Sequence, residues 1–287
     1  MRYQFMEGYR STFEVKEMCR SFKISRSGYY GWRERGESAR AQENEQLVQA
    51  IKEAHRKSRE RYGSLRITEE LRESGYRCSK NRIARLMRKH GIVAKMRRRF
   101  KVTTHSKHSL PVAENVLQKK FSAERPDRVW VSDITYVRTD EGWLYLAAIL
   151  DVYSRQIVGW SMKDRLTQDL TIYSLQQALG RRSTCSGLIF HSDRGVQYAS
   201  YDFRTLLKRQ GFVQSMSGKG NCYDNAIMET FFHTLKTELV YFERYRTKED
   251  VRRSIFEYIE VFYNRVRRRS ALNYKSPTEF ERLARAA

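Results

Sequence analysis

The sequence lacks the features that mark secreted and membrane proteins. Its four cysteines are scattered and include no Cys-x-x-Cys pair, which argues against a disulfide framework and fits a reducing cytosol. The first ten residues are charged and contain no apolar core of a signal peptide. The longest apolar run, residues 144–150, is far shorter than the roughly 20 residues that a membrane span needs. We therefore expect a soluble intracellular protein with no membrane partner.

Zinc-site spacing and sequence repeats are missing as well. His105 and His108 lie close together, but no cysteine pair follows them, so we reject a zinc module. No internal repeat of fixed period and no low-complexity tract interrupts the chain. Hydrophobic residues make up 40% of the sequence and aromatic residues 13%, which is enough for a hydrophobic core and argues against global disorder.

What the sequence has in excess is positive charge. The net charge is +23, which predicts a polyanionic partner. Residues 1–128 contain 32 Lys and Arg against 15 Asp and Glu, whereas residues 129–287 contain 24 against 18. A ribosomal or chromatin protein would match the total charge, but rarely adds an aromatic-rich, nearly neutral second half. We expect the first half to bind double-stranded DNA and the second half to carry another activity.

Two helix–turn–helix patterns occupy the N-terminal part, one in residues 1–40 and one in residues 41–96. In the first, apolar residues recur at helical spacing from Val15, and Ser25 is the predicted N-cap of the following helix. In the second, Ser79 is the predicted N-cap of the basic helix KNRIARLMRKHG. A helical bundle with a solvated basic face is the alternative. The predicted DNA contacts here are Arg26, Arg82 and Arg85.

A basic linker is predicted over residues 97–122. It begins with the run RRRFK, and such runs are often merely solvated. Here the run joins a predicted DNA-binding region to a predicted catalytic one, which favours contact with a phosphate backbone. The linker residues predicted to contact DNA are Arg97, Arg98, Arg99 and Lys101.

The pattern changes to strands in the region 123–245. Three neighbouring runs, VWVSDITYV, WLYLAAILDVYS and QIVGWSMK, predict antiparallel strands, and shorter strands and helices alternate after them. The order βββαβαβα predicts an α/β fold with a mixed five-stranded sheet flanked by helices. The last segment, 246–287, is predicted as one long amphipathic helix followed by an extended tail.

Three acids stand out in this region. Asp133 interrupts an apolar strand, Asp193 ends another, and Glu229 lies in an amphipathic helix with 35 residues between it and Asp193. Asp193 ends its strand where ligand crevices form, and if Asp133 lies next to it, the two anions repel each other unless a proton or a cation is shared. Oxygen ligands favour Mg²⁺ or Mn²⁺ over zinc. We predict that the three acids are catalytic and bind two such ions roughly 3.5–4 Å apart, which would support an in-line phosphoryl displacement.

Several neighbours of these acids are assigned by spacing. Lys236 follows Glu229 at i+7 on the same helix face as His233 and is predicted to hold a DNA phosphate. Asp224 is the predicted N-cap of that helix. Asp151 is the rival metal ligand, but pairing with Arg155 is the favoured interpretation. Two further predicted DNA contacts are Arg194, beside Asp193, and Lys219, in a glycine-rich loop.

The blocks WVSDITYV, LDVYSRQIVGW, HSDRGVQYAS and GNCYDNAIMETFFHTLK resemble, in order, those of the DDE transposases of bacterial insertion sequences, the branch that shares a catalytic core with retroviral integrases. RYGSLRITEEL and SKNRIARLMRKHGI resemble the upstream helix–turn–helix of that family. Nearly the whole chain is covered, in the manner of a second-frame (OrfB-type) product.

The resemblance implies an RNase H-like core with Asp133, Asp193 and Glu229 as metal ligands. It also implies cleavage at the transposon ends by water, then strand transfer by a 3′-hydroxyl group. Homo-multimers on paired ends, a first-frame partner or fusion, and a cytoplasmic location at the bacterial nucleoid are further implications of the resemblance.

Two other functions compete with a transposase. A catalytically silent DNA-binding regulator of transposition would keep the fold without activity, although all three acids are present. A ribonuclease on the same fold would typically use four acids at a different spacing and would not need two helix–turn–helix units. We expect a DNA strand-cleaving and strand-joining enzyme.

Overall fold

A mixed five-stranded sheet forms the centre of the protein. The computed structural model describes residues 2–35, 38–95, 111–118, 122–218 and 225–286. The strands are β1 (Val129–Thr139), β2 (Gly142–Asp151), β3 (Ile157–Lys163), β4 (Ile189–Ser192) and β5 (Val213–Met216). Their order in the sheet is β3-β2-β1-β4-β5, with β1, β2 and β3 antiparallel and β4 and β5 parallel to β1. The predicted α/β fold class, with its antiparallel strand triplet, is confirmed.

Helices precede the sheet, connect its later strands and follow it. They are α1 (Arg2–Tyr9), α2 (Val15–Ser21), α3 (Arg26–Glu34), α4 (Ala39–Lys57), α5 (Ser64–Glu73), α6 (Lys80–Lys89), α7 (Gln168–Arg181), α8 (Val196–Ala199), α9 (Tyr201–Arg209), α10 (Ala226–Glu238), α11 (Lys248–Phe256) and α12 (Pro277–Ala286). A search of the described ranges finds no helix with the length and apolar character to cross a bilayer.

The predicted N-caps of the two basic N-terminal helices are confirmed. The Ser25 side chain accepts a hydrogen bond from the backbone of Gly28 at the start of α3, and Ser79 accepts one from Arg82 at the start of α6. Each serine satisfies an amide that the first helical turn leaves without a partner. Both helices therefore begin where the sequence predicts.

The sheet buries a separate hydrophobic cluster on each face. Helices α7, α8 and α9 cover one face around Trp130 and Phe190. The other face packs against α10, α11 and the helices α4–α6 in one continuous cluster. The sequence of strand β2 is almost entirely apolar because helices cover both faces of the sheet. A Cβ atom on Gly159 would lie 2.3 Å from the carbonyl oxygen of Ser174, so glycine lets α7 approach β3 closely.

The C-terminal prediction is wrong in two respects. Helix α11 does not continue as one α-helix but changes to a π-helical segment over Glu257–Tyr263. The predicted extended tail instead contains α12, which begins at Pro277. The signal was in the sequence: Ser276 accepts a hydrogen bond from the backbone of Glu279, and proline is favoured at the first helical position.

A buried ion cluster connects the second helix–turn–helix unit to the part of the chain that contains the sheet. Glu238, at the end of α10, accepts hydrogen bonds of 2.8 and 2.6 Å from the Arg267 guanidinium and one of 3.0 Å from Tyr258. Arg61, in the loop between α4 and α5, donates to the Glu238 backbone carbonyl at 3.1 Å, and Arg66 of α5 reaches its carboxylate at 3.5 Å. Helix α10 is therefore held by residues from both parts of the chain.

Candidate active site

The parallel pairing of β1 with β4 brings the first two acids together. Val131 of β1 is in register with His191 of β4, so Asp133 and Asp193, each two residues further along, lie level at adjacent strand positions. Asp133 is half-buried, and its carboxylate accepts a 2.7 Å hydrogen bond from the backbone of Ile134. The Asp193 carboxylate accepts a 3.0 Å bond from the backbone of Gly195. Local backbone bonds thus orient both side chains.

Helix α10 supplies the third acid. Glu229 lies in its first turn and is exposed. The residue before the helix, Asn225, donates a 3.0 Å hydrogen bond from its side chain to the carbonyl oxygen of Ser132 on β1. This bond ties the start of α10 to the strand next to Asp133. The predicted N-cap, Asp224, lies outside the described residues; the position before the helix is Asn225, whose side chain makes no capping bond.

The charges of Asp193 and Glu229 repel that of Asp133. Burial raises the pKa of Asp133 well above its usual range, and the nearby charges of Asp193 and Glu229 raise it further. Partial burial also raises the pKa of Glu229. Within the described ranges, no three His, Cys, Asp or Glu side chains converge into a ready metal cage. The charge concentration and the all-oxygen donor set nevertheless fit a hard divalent cation, which would relieve this repulsion.

Neutralising Asp133 is expected to stabilise the metal-free protein. Because folding raises the pKa of Asp133, this group lowers the stability of the folded state as the pH rises above its unfolded pKa, and the loss is complete above the raised folded value. In EDTA at pH 8, we expect Asp133→Asn to increase the free energy of unfolding. The gain should shrink as the pH falls through the folded pKa, and thermal melts across pH measure it.

The matched control is Glu243→Gln, which removes a carboxylate that is exposed. It should leave the melting temperature almost unchanged over the same pH range. If both substitutions stabilised the protein equally, the effect would come from the loss of any one negative charge and not from the burial and repulsion of Asp133.

Lys236 joins this site from the far end of α10. It is half-buried, and its Nζ atom lies 5.2 Å from the centroid of the Tyr136 ring on β1. Burial lowers the pKa of Lys236, while the charge of Asp133 acts in the opposite direction. His233, between Glu229 and Lys236, is exposed. Glu229, His233 and Lys236 therefore lie on one helix, as predicted. Tyr136 also contacts Lys236, which the spacing of residues along the chain did not reveal.

Asp151, the rival metal ligand, has a structural role. Its carboxylate accepts hydrogen bonds from the backbone and hydroxyl group of Ser154, both at 2.8 Å, and from the backbone of Asp127 at 2.8 Å. Arg155, the predicted partner, donates a backbone hydrogen bond of 2.8 Å to the Asp151 carbonyl oxygen. These bonds stabilise the turn between β2 and β3, as is typical of a buried carboxylate that takes no part in chemistry.

The predicted DNA contacts differ in their surroundings. Arg194 is half-buried beside Asp193 and donates a 2.6 Å bond to the carbonyl oxygen of Ser217. Arg26 is exposed at the start of α3, and Arg85 is exposed in the middle of α6. Arg82 instead bonds to Asn44 and Glu43 on α4, at 2.9 and 3.0 Å. The remaining predicted contacts lie outside the described residues: Arg97, Arg98, Arg99, Lys101 and Lys219.

Arg85 and Arg82 are expected to respond differently to alanine substitution. Arg85→Ala should weaken DNA binding and make the slope of log K against log[salt] about 0.9 shallower, because one phosphate contact is lost. Arg82→Ala should instead lower the melting temperature, because its bonds to α4 are removed. Fluorescence anisotropy at several salt concentrations, with melts of both variants, tests this. An unchanged slope for Arg85→Ala would contradict the assignment.

Comparison with known proteins agrees with this architecture. Models of an integrase core domain match residues 123–222 and 229–283, and a model of an HTH-like domain matches residues 42–100. Transposase InsF for insertion sequence IS3A of Escherichia coli (strain K12) is 44% identical over 283 residues, which is 98% of this chain and 98% of that protein. The insertion element IS600 uncharacterized 31 kDa protein of Shigella sonnei is 48% identical over 263 residues, 92% of this chain and 97% of the relative.

Among solved structures, the cryo-EM structure of the simian T-cell lymphotropic virus intasome in complex with PP2A regulatory subunit B56 gamma matches with a TM-score of 0.48 and 16% identity. That match covers 81% of this chain and 74% of the viral one. The resemblance inferred from the sequence blocks is confirmed by the identity of 44% over almost the full chain. The protein belongs to the insertion-sequence transposase family that includes InsF of IS3, and it combines an integrase core domain with an HTH-like domain.

Proposed function

We propose that this protein cleaves DNA at the ends of an insertion sequence and joins those ends to target DNA, using Asp133, Asp193 and Glu229. The observation that supports this most is the strand register that sets Asp133 level with Asp193; the charges of Asp193 and Glu229 then add to burial in raising the pKa of Asp133. Because such repulsion destabilises the folded state at neutral pH, a cation that binds there would stabilise it. Membership of a transposase family makes a DNA phosphate the fitting substrate.

The roles of the residues follow from their positions. The Ile134 and Gly195 backbone bonds hold the carboxylates of Asp133 and Asp193 in fixed orientations for metal binding. Glu229 approaches from α10 and completes the ligand set. These three acids would hold the divalent ions, two Mg²⁺ or Mn²⁺, whose chemistry would be to activate the attacking oxygen and stabilise the leaving oxygen. Lys236, on the same helix, holds the phosphate adjacent to the scissile bond.

The remaining parts of the chain handle DNA and assembly. Residues 41–96 bind DNA through Arg85, residues 1–40 add a second contact through Arg26, and the basic segment 97–122 follows the phosphate backbone to the catalytic region 123–245. Arg194 and Lys219 lie near the acids in the sequence and contact the DNA there. The working form is a homo-multimer on paired ends in the cytoplasm, at the nucleoid, with a first-frame protein as partner or fusion.

Nicking of a supercoiled plasmid that carries the gene with its flanking DNA tests this function. We expect nicks at defined flanking positions in Mg²⁺ or Mn²⁺ and none in EDTA. Salt-sensitive DNA binding without nicking by the chain, even when the first-frame segment is fused to it, would favour a catalytically silent regulator. Cleavage of RNA–DNA hybrids in preference to the plasmid would instead favour a ribonuclease.

A further inference from the structure

Aromatic and cationic side chains alternate along the exposed end of the β1–β2 hairpin. The Tyr136 ring, under the ammonium group of Lys236, meets the Trp143 ring edge to face at a centroid distance of 4.9 Å. The Arg138 guanidinium lies 6.0 Å from the centroid of Trp143. We define the aromatic–cationic strip as Lys236, Tyr136, Arg138, Trp143, Lys163 and Tyr173.

The sheet register places the four strand members of the strip, Tyr136, Arg138, Trp143 and Lys163, on one face, and Lys236 reaches the Tyr136 ring from α10, which packs against the other face. Tyr136 pairs with Tyr145, Arg138 pairs with Trp143, and Tyr145 pairs in turn with Lys163 of β3. Their chain neighbours are buried on the opposite face in the cluster with α10 and α11, as strand alternation requires. The Nζ atom of Lys163 lies 4.3 Å from the centroid of the Tyr173 ring on α7, which extends the strip across the sheet.

The rings of the strip are open to solvent. Trp143 is 46% exposed and Tyr173 is 48% exposed, although burying either ring in the core would stabilise the fold. Cation–π contacts hold a cation beside a ring face, and nucleic acids offer both stacking bases and phosphates to such a surface. The exposure therefore points to a partner with flat rings and negative charge.

Two acids beside the strip, Asp164 and Asp140, pair with cations that are not part of it. Asp164 follows Lys163 and pairs with Lys248 and Arg252, at 3.0 and 2.8 Å. In the hairpin turn, Asp140 pairs with Arg244 at 3.5 Å, and Glu141 accepts a bond from the backbone of Lys248. The cations of the strip therefore keep their charge for a ligand.

We propose that the aromatic–cationic strip binds unpaired nucleotides of the DNA strand next to the phosphate on which the three acids act. Bases stack on Trp143 and Tyr173, and phosphates pair with Arg138 and Lys163. The strip starts at Lys236, two turns along α10 from Glu229, so it leads away from the active site. This proposal rests on the function proposed above and adds the form of DNA that the site receives.

A single strand fits better than a duplex for a geometric reason. In a duplex the faces of the bases are stacked on one another, and only their edges are open in the grooves. Side-chain rings stack on base faces, which become available when the strand is unpaired. Strand separation beside the scissile phosphate would therefore stabilise the complex through this strip.

The test measures binding of a thymidine oligomer of about 15 nucleotides, carrying one 2-aminopurine whose fluorescence falls on stacking. Binding is measured in EDTA with the full chain, so that cleavage plays no part. We expect Trp143→Ala to weaken binding about tenfold and to remove most of the quenching, and Tyr173→Ala to act in the same direction. Trp143→Phe should restore most of both, because a ring is retained. A blunt duplex of the same length should bind each variant within about twofold of the native chain.

The control is Tyr201→Ala, which removes an aromatic side chain that is 74% exposed but lies outside the strip. The proposal is overturned if Trp143→Ala and Tyr173→Ala bind the oligomer as tightly as Tyr201→Ala, or if duplex binding falls by the same factor. Plasmid nicking by the native chain is scored separately. If the native chain nicks the plasmid but the strip variants bind the oligomer normally, the strip proposal alone is refuted. If the strip variants lose oligomer binding but the native chain does not nick the plasmid, the proposed function alone is refuted.

Discussion

Asp193→Asn is expected to reduce metal-dependent nicking of plasmid DNA at least about a thousandfold, because one preorganised charge at the reacting phosphate is removed. Asparagine has nearly the same shape, and its side-chain oxygen can still accept the backbone bond of Gly195 that orients residue 193. The fold should therefore persist, with a free energy of unfolding within about 1 kcal/mol of the native value. Initial nicking rates in Mg²⁺ and in Mn²⁺, together with a thermal melt of each preparation, provide the measurement.

Two companion variants sharpen this prediction. Glu229→Gln should cause a loss of similar size, because its carboxylate belongs to the same group of charges. Asp202→Asn, on α9, removes an exposed carboxylate that bonds to Gln168 and should leave nicking within about threefold of the native rate. A well-folded Asp193→Asn protein that nicks at the native rate would rule out Asp193 as a catalytic residue.

Glu238→Ala is expected to destabilise the protein by roughly 3–5 kcal/mol, because it leaves the buried Arg267 guanidinium without its anionic partner. Burial alone would raise the pKa of Glu238, but the charge and hydrogen bonds of Arg267 outweigh it and lower that pKa. The stabilisation from this carboxylate is therefore present above its unfolded pKa and is lost as the pH falls through the lower folded value. Urea unfolding at neutral and at acidic pH measures both effects.

The control for this cluster is Glu249→Ala on α11, which removes an exposed carboxylate that pairs loosely with Arg252 at 3.8 Å. It should cost less than about 1 kcal/mol. Since Arg61 and Arg66 also meet Glu238, the Glu238→Ala protein should expose the loop before α5 to limited proteolysis sooner than the control. A cost below about 1 kcal/mol for Glu238→Ala would show that the cluster adds little to the fold.

The elements that could be predicted from the sequence are those with local signals. Ser25 and Ser79 precede their helices directly, and the strand runs of β1 and β2 are long and apolar. The sequence placed Asp193 at a strand end, where ligand crevices form, but the position of Asp133 beside it depended on the pairing of β1 with β4. The helical spacing of Glu229 and Lys236 needed nothing beyond the period of an α-helix.

The features that escaped prediction depend on contacts between distant parts of the chain. Arg267 lies in a basic run that is typical of a solvated surface, yet it is buried against Glu238, 29 positions earlier. Tyr136 reads as an ordinary strand residue until α10 brings Lys236 over its ring. The register and packing that create these contacts emerge only when the whole sheet and its covering helices assemble.

Binding of Mn²⁺, followed by loss of the free-ion signal in electron paramagnetic resonance, tests the central claim most directly: that three acids from separate elements form one metal site. We expect the native chain to bind Mn²⁺ more tightly as the pH rises, since the pKa of Asp133 is raised and ligands bind metals in deprotonated form. Asp133→Asn and Asp193→Asn should each weaken that binding at least about tenfold, whereas Asp202→Asn should not. Equal Mn²⁺ affinity in all four proteins would contradict the account.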